Sequence, residues 1–324
     1  MATSFILALT ALQVVALLVG FVTNGFMLGV NLSDWKHCRD ITAADHFICA
    51  VGFSNLSLQI WLGFNWFCDL FWNWDLFCRS AYALKMISVQ CSLTVSGLLC
   101  VFYCAKILTF NHTLFRWHQR HFLGSYRRII ICSMIVCTLM GCPLFSTREK
   151  QPIQVKNLLS ANGSSILNDT TTHEEDMYLG IYRALVLPFG YTIPLGFTIV
   201  SASLIIISLK RHTRRMRNTL NAKHEAFVDA HLCARFTVLS LLLLFVMYFI
   251  TAVINIIDIF KEGDPGLALV QLVSALYAPA HGIVLIRGNS KLKNAAAKAK
   301  ERIVRALKPK GWSKEDAADY ITQH

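Results

Sequence analysis

Ser88, Gln90, Ser92, Thr94 and Ser96 place a hydrogen-bonding side chain at every second position of the otherwise apolar stretch Ala81–Ile107. Between Lys85 and Lys106 this stretch contains no acid or base. Nothing nearby supplies the partners that catalysis would need: there is no nucleophile–base constellation, no phosphate-binding glycine loop and no Cys/His spacing suited to zinc. The chemistry open to these residues is therefore non-covalent, with donors and acceptors offered to a neighbouring helix or a small bound molecule. No enzyme, cofactor or metal site is expected. On a helix advancing about 100° per residue, alternate polar positions spread around the whole circumference. A lipid-facing helix would leave such groups unsatisfied at high cost. The stretch thus predicts a central helix, enclosed by others and lining a pocket.

The elements that must enclose it are set by composition. The chain of 324 residues is 55% hydrophobic and 15% charged, with a mean hydropathy of +0.48, which excludes an ordinary soluble domain. A membrane helix needs about 20 apolar residues. Seven such segments are predicted at Ser4–Leu32, Ala44–Trp66, Ala81–Leu108, Ile129–Thr147, Leu179–Leu209, Leu232–Ile257 and Leu267–Ile286. The fold class is an all-α membrane protein with a seven-helix transmembrane domain over residues 1–287. A cytosolic amphipathic helix and tail follow over 288–324. The first span lacks a basic region before it and is read as a permanent anchor rather than a signal peptide.

Most of the 31 Lys and Arg residues fall in the loops after the first, third and fifth spans and in the tail. The positive-inside rule then places the N-terminus outside and the tail in the cytosol, as a multi-pass protein of the plasma membrane. The net charge of +12 reports orientation and contact with the lipid bilayer; no basic–aromatic motif points to nucleic acid. Asn162-Gly-Ser and Asn168-Asp-Thr lie in the longest outer loop, Arg148–Tyr178, and are the candidate glycosylation sites, whereas Asn111-His-Thr falls inside. Of the 11 cysteines, only Cys68 and Cys78 face out together, across a short loop, and could form a disulfide. The long outer loop has no cysteine, so the bridge from that loop to the third helix, usual in rhodopsin-like receptors, cannot form.

Five motifs recur in order. The first span holds Asn24-Gly25-Phe26, Val30-Asn31 and Asp34-Trp35, with Asp45 beyond. The third ends Cys100-Val101-Phe102-Tyr103-Cys104-Ala105-Lys106-Ile107, and the fifth runs from Ile193-Pro194 to Ser208-Leu209 with His212 and Met216 beyond. The sixth opens Ala230-His231, Ala234, Thr237, Ser240, and the seventh closes His281, Leu285-Ile286, Gly288-Asn289-Ser290-Lys291-Leu292-Lys293. Together these resemble the vertebrate type 2 (bitter) taste receptors over roughly residues 20–293. The chain departs from that family where Asn55 stands in place of its usual second-helix Arg, and Thr94 and Val89 in place of a third-helix Trp and Asn. The resemblance implies a G-protein-coupled chemosensory receptor that takes a small-molecule agonist and signals through a heterotrimeric G protein. Alternatives are a type 1 vomeronasal-like chemoreceptor, or a small-molecule transporter or channel, which would want intramembrane charges or broken, repeated helices.

Pocket candidates are the polar and aromatic residues at outer-half depth: Gln59, Trp61, Asn65 and Trp66, then Gln90 and Thr94, Phe245, Tyr248 and Asn255, and Gln271 and Ser274. Lys85 and Arg183 approach the same mouth, and the third helix carries no carboxylate for a ligand ammonium. Neutral or anionic amphiphiles are expected there. At the inner helix ends Lys106, His212, Met216, His231, Arg235 and Lys291 are expected to face the G protein. Beyond Gly288, Leu292–Leu307 gathers Leu292, Ala295, Ala296, Ala299, Ile303, Ala306 and Leu307 near one face, the pattern of an interfacial helix.

Overall fold

A computed structural model describes residues 2–37, 41–71, 76–107, 113–146, 180–217, 223–257, 259–260 and 264–306. Asn111, Asn162, Asn168 and the Arg148–Tyr178 loop lie outside the described residues. Eight α-helices are present among those described: α1 (Ala2–Lys36), α2 (Ala43–Phe71), α3 (Leu76–Ile107), α4 (Thr113–Gly141), α5 (residues 180–217), α6 (Lys223–Ile257), α7 (Pro265–Gly288) and α8 (Ser290–Ala306). Seven are long and apolar enough to cross a membrane. Their outward faces carry large exposed apolar side chains such as Leu7, Leu18, Val22, Leu139 and Leu243, which suit lipid and not water.

Helices α4 and α5 run well past their apolar segments into basic stretches, and α6 begins well before its own in a stretch of mixed charge. Hydropathy bounds the lipid-compatible part, whereas Lys and Arg are good helix formers and let the backbone continue. At the other end of α4, Pro143 lacks the N–H that the next turn needs, and the chain tightens into a 3₁₀ turn, Cys142–Ser146.

α3 is the central helix, in contact with α2, α4 and α5, and 78% of its apolar window is buried, against at most 50% in any other span. α1 closes the ring on α7. Gly282 makes that closure possible: a Cβ there would meet Thr23 Oγ1 at 3.0 Å and Asn24 Oδ1 at 3.2 Å.

α5 is composite. Residues 180–185 are α-helical, Val186–Thr192 form a π-helical segment, and Ile193–Arg217 return to α. Pro188 and Pro194 both lack a backbone N–H, and between them the ladder widens, Ile193 N–H donating to Pro188 O five residues back. Tyr182 and Tyr191 would point to opposite sides of an unbroken α-helix, nine residues apart. The wider turns bring both inside, each under 5% exposed.

The core forms two apolar layers. The layer nearer the N-terminal end of α1 joins Leu58, Val89, Leu93, Phe245, Tyr182, Tyr191, Tyr248 and Tyr277; the layer nearer the tail joins Met27, Phe47, Val51, Leu99, Phe102, Leu285 and Leu292.

Candidate functional site

Between the two layers lies a hydrogen-bonded network of six buried side chains: Asn24 of α1, Asn55 of α2, Ser92 and Ser96 of α3, Tyr277 and His281 of α7. Its polarity can be read from one end. Asn24 Nδ2 donates to two backbone carbonyls, Gly20 O at 2.9 Å and Ala278 O at 3.1 Å, which fixes that amide's orientation. Its Oδ1 is then an acceptor, so the Asn55 group 3.0 Å away is the donor Nδ2. The same Nδ2 donates to His281 Nδ1 at 3.2 Å, which must carry a lone pair. His281 is therefore the neutral ring with its proton on Nε2, donated to Ser96 Oγ at 3.3 Å. Ser96 passes its own hydroxyl proton to Ser92 O. Ser92 Oγ donates to Asn55 Oδ1 at 2.6 Å and accepts from Tyr277 OH at 3.3 Å. These bonds give every one of the six a partner without a formal charge.

Toward the N-terminal end, Tyr277 joins a cluster of aromatic side chains. Its ring packs tilted against Tyr248 at 4.8 Å between centroids and stacks with His281 at 5.3 Å. Tyr182 and Tyr191 enter from α5, Tyr82 and Met86 flank from α3, and Phe245 adds a wall from α6. Gln90, fully buried, donates through Nε2 to Tyr182 OH at 3.2 Å, while its Oε1 has no protein partner. At the edge of the cluster, Lys85 Nζ donates to Asn65 Oδ1 at 2.8 Å and lies 4.7 Å from the Tyr82 ring centroid. Asn65 Nδ2 and both amide atoms of buried Gln59 are also unpartnered.

The alternating polar residues of α3 do spread around its circumference. Ser88 accepts from Ser57 of α2, Gln90 turns to α5, Ser92 and Ser96 to α2 and α7, and Thr94 accepts from Cys137 Sγ of α4 at 3.4 Å. Asn65, Lys85, Gln90, Tyr248 and Phe245 thus come together in the aromatic cluster or at its edge, while Gln59 packs on Gly20 of α1. Other residues named from sequence stand apart. Thr94 faces α4, Trp61 packs on Phe64, itself exposed, at 5.7 Å, and Gln271 is exposed. Ser274 donates to Val270 O of its own helix, and Trp66, Arg183 and Asn255 are half-buried. Sequence reasoning missed Tyr82, Tyr182, Tyr191 and Tyr277. Tyr277 was within reach, since, like Tyr248, it lies on an apolar helix where a phenol needs a partner. Cys68 and Cys78 are joined in a disulfide between α2 and α3, their Cα atoms 5.8 Å apart.

At the tail end, Lys106 is exposed at the end of α3. Positions 212, 216, 231 and 235 are helical, with the side chains of His212, Met216, His231 and Arg235 outside those described. Lys291 is more engaged than its place in the sequence suggested. Its Nζ pairs with Asp34 Oδ2 at 2.9 Å, lies 3.5 Å from Asp45 Oδ2 and donates to Asn31 Oδ1 at 2.8 Å. Thr42 caps α2, its Oγ1 accepting from Asp45 N at 3.3 Å, and the Asp45 carboxylate reaches back to accept from Thr42 N at 3.1 Å and Thr42 Oγ1 at 2.9 Å. Asn289 breaks α7 from α8 with extended backbone, and its Oδ1 caps α8 through Lys291 N at 2.9 Å. Leu292 is fully buried in the tail-end layer, so α8 is held to the bundle by one cation and one apolar anchor.

A seven-helix bundle with a neutral polar centre, an aromatic cluster at one end and an appended amphipathic helix at the other has the architecture of a G-protein-coupled receptor. The family profile described as Taste receptor protein (TAS2R) matches residues 1–302, and the chain belongs to that family. Taste receptor type 2 member 1 of Gorilla gorilla gorilla is 28% identical over 289 residues, covering 89% of this chain and 93% of the relative. Taste receptor type 2 member 7 of Rattus norvegicus is 27% identical, with 90% and 93% covered. Taste receptor type 2 member 119 of Mus musculus is 28% identical, with 87% and 82% covered. The chain is accordingly a multi-pass membrane receptor of the bitter-taste chemosensory class, coupled to a G protein and not an enzyme. The vomeronasal, transporter and channel alternatives are not favoured.

Proposed function

We propose that this receptor binds neutral or anionic amphiphiles in the tyrosine-walled chamber and reports them across the membrane to a heterotrimeric G protein. The clustering of Tyr82, Tyr182, Tyr191, Tyr248 and Tyr277, with buried Gln90 bonded to Tyr182 and its Oε1 left without a protein partner, carries the reading. Aromatic faces supply stacking area for varied apolar bodies, and Gln90 offers an acceptor that a ligand donor can satisfy. Lys85 and Asn65 stand where an anionic group would enter, and Arg183 is on the same end. Trp61, Trp66, Gln271, Ser274 and Thr94 belong to the surrounding shell in this reading.

An agonist acts only through higher affinity for the active bundle. Tyr277 is the natural relay, because it belongs to both the chamber and the central network. Residues 1–287 would work as one seven-helix domain with the N-terminus outside, and 288–324 as a cytosolic attachment at the plasma membrane. Lys106, His212, Met216, His231, Arg235 and Lys291 would then lie on the side where the G protein docks.

The test is ligand-evoked calcium release in cells expressing the chain with a G protein. Tyr248→Ala should weaken agonists generally, and Lys85→Ala should weaken acids while sparing neutral compounds. A compact quaternary amine as the strongest agonist, with acids indifferent to Lys85→Ala, would refute the assignment.

A further inference from the structure

Gln59 is fully buried on α2, yet neither its Nε2 nor its Oε1 finds a partner. Burying an amide without hydrogen bonds costs several kcal/mol in an apolar surrounding, so such a group marks a place where something else belongs. Its position is well defined. The carboxamide presses on the backbone of α1 at Gly20, where an added Cβ would lie 2.2 Å from Nε2. Gly20 O already accepts from Asn24, and Asn24 also ties Ala278 of α7. Gln59 lies one turn beyond Asn55 on α2, as Gly20 lies one turn before Asn24 on α1, so the carboxamide ends at the seam of α1 and α2, one turn from the bonds that tie Asn55 to Asn24 and His281 and on the side of the aromatic cluster that includes Leu58, Tyr277 and Ala278.

The other unpartnered buried amide atoms at this end are Asn65 Nδ2 and Gln90 Oε1. Of the three, only Gln59 offers a donor and an acceptor from one planar group. A planar ligand group with a donor and an acceptor side by side would satisfy both atoms in one bidentate contact; a lactam or imide has that geometry.

We infer that Gln59 is the specificity-determining residue of a subsite, at the α1–α2 side of the chamber, for ligands bearing a secondary lactam or imide. This rests on the chamber reading above and adds a chemical class to it. Aromatic lactams fit both requirements at once, with a ring for the tyrosine walls and an N–H beside a C=O for Gln59. N-methylation removes the donor and adds bulk where Nε2 and Oε1 must both be reached, so it should be poorly tolerated.

The experiment uses 2-quinolone, N-methyl-2-quinolone and coumarin, which share a bicyclic frame while only the first carries the N–H. Binding to the purified full-length receptor is read by thermal shift, and signalling by calcium release. The expected result is a preference of roughly five- to tenfold for 2-quinolone over the other two. Gln59→Met, of similar length, should erase that preference and leave the weaker probes unchanged. Gly20→Ala should do the same by displacing the carboxamide without removing it, which guards against a folding defect in the first variant. A preference that survives in both variants, an absence of preference in the wild type, or no saturable binding of any probe at millimolar concentration would each overturn the subsite. So would a Gln59→Met receptor that melts higher with unchanged affinities, since the amide would then be a merely hydrated seam. The chamber itself is judged separately, by whether Tyr248→Ala weakens agonists that lack an N–H.

Discussion

Asn55 donates to His281 Nδ1 across 3.2 Å, and this bond decides which tautomer the only histidine of the central network adopts. The ring must hold its proton on Nε2, facing Ser96. Nitrogen NMR of histidine-labelled receptor should therefore find one histidine with an unprotonated Nδ1 and a protonated Nε2. Asn55→Leu would strand Asn24 Oδ1, Ser92 Oγ and His281 Nδ1 together, and the melting temperature should fall as about 2–3 kcal/mol is lost. Asn55→Asp should be worse, because a carboxylate has no proton for either Asn24 or His281. Equal stability of Asn55→Asp and wild type would show the network polarity to be wrong.

Lys291 joins α8 to α1 and α2 through Asp34 and Asp45. Asp45 is 4% exposed and Thr42 satisfies only part of its charge, so removing the cation leaves a buried carboxylate under-compensated. Lys291→Met should cost about 1–3 kcal/mol and raise hydrogen exchange over residues 290–306 more than elsewhere. Adding Asp45→Asn to that variant should recover part of the loss. An α8 that exchanges as slowly without Lys291 as with it would mean that Leu292 alone holds the helix.

Cys68 and Cys78 close a short loop between α2 and α3. Cys68→Ser should lower stability by about 2–3 kcal/mol, and the double variant should lose no more than either single one. Melting curves under reducing and non-reducing conditions separate these outcomes.

Orientation is open to a simple gel assay. Asn162→Gln and Asn168→Gln should each remove one glycan from the mature protein, whereas Asn111→Gln should leave its mobility unchanged. A glycan on Asn111 would invert the topology argued from basic residues.

The central place of α3 was legible because alternate polar residues on an apolar helix have one economical explanation, enclosure on all sides. The direction of each residue was not legible from the same pattern. Thr94 and Gln90 are equally polar and four residues apart, yet one meets Cys137 of α4 and the other Tyr182 of α5. Tyr182 and Tyr191 escaped notice for a different reason: a single helical period puts them on opposite faces, and only the π-helical turns between Pro188 and Pro194 bring both inside. The Lys291 cluster was hidden by chain distance, since Asp34 and Asp45 belong to the first motif and Lys291 to the last, and their meeting depends on how α1, α2 and α8 pack. Trp61 illustrates the opposite error, an aromatic at the right depth that faces a strip of exposed rings.

The neutrality of the central network bears on how the receptor behaves in an excitable cell. A potential of 100 mV acts on an elementary charge crossing the membrane with about 2.3 kcal/mol. Asn24, Asn55, Ser92, Ser96, Tyr277 and neutral His281 present no such charge to the field. Rearranging them moves dipoles over short distances and little else. A second-helix arginine in the place of Asn55 would give the membrane voltage a handle on the switch; here depolarisation should leave agonist potency where it was.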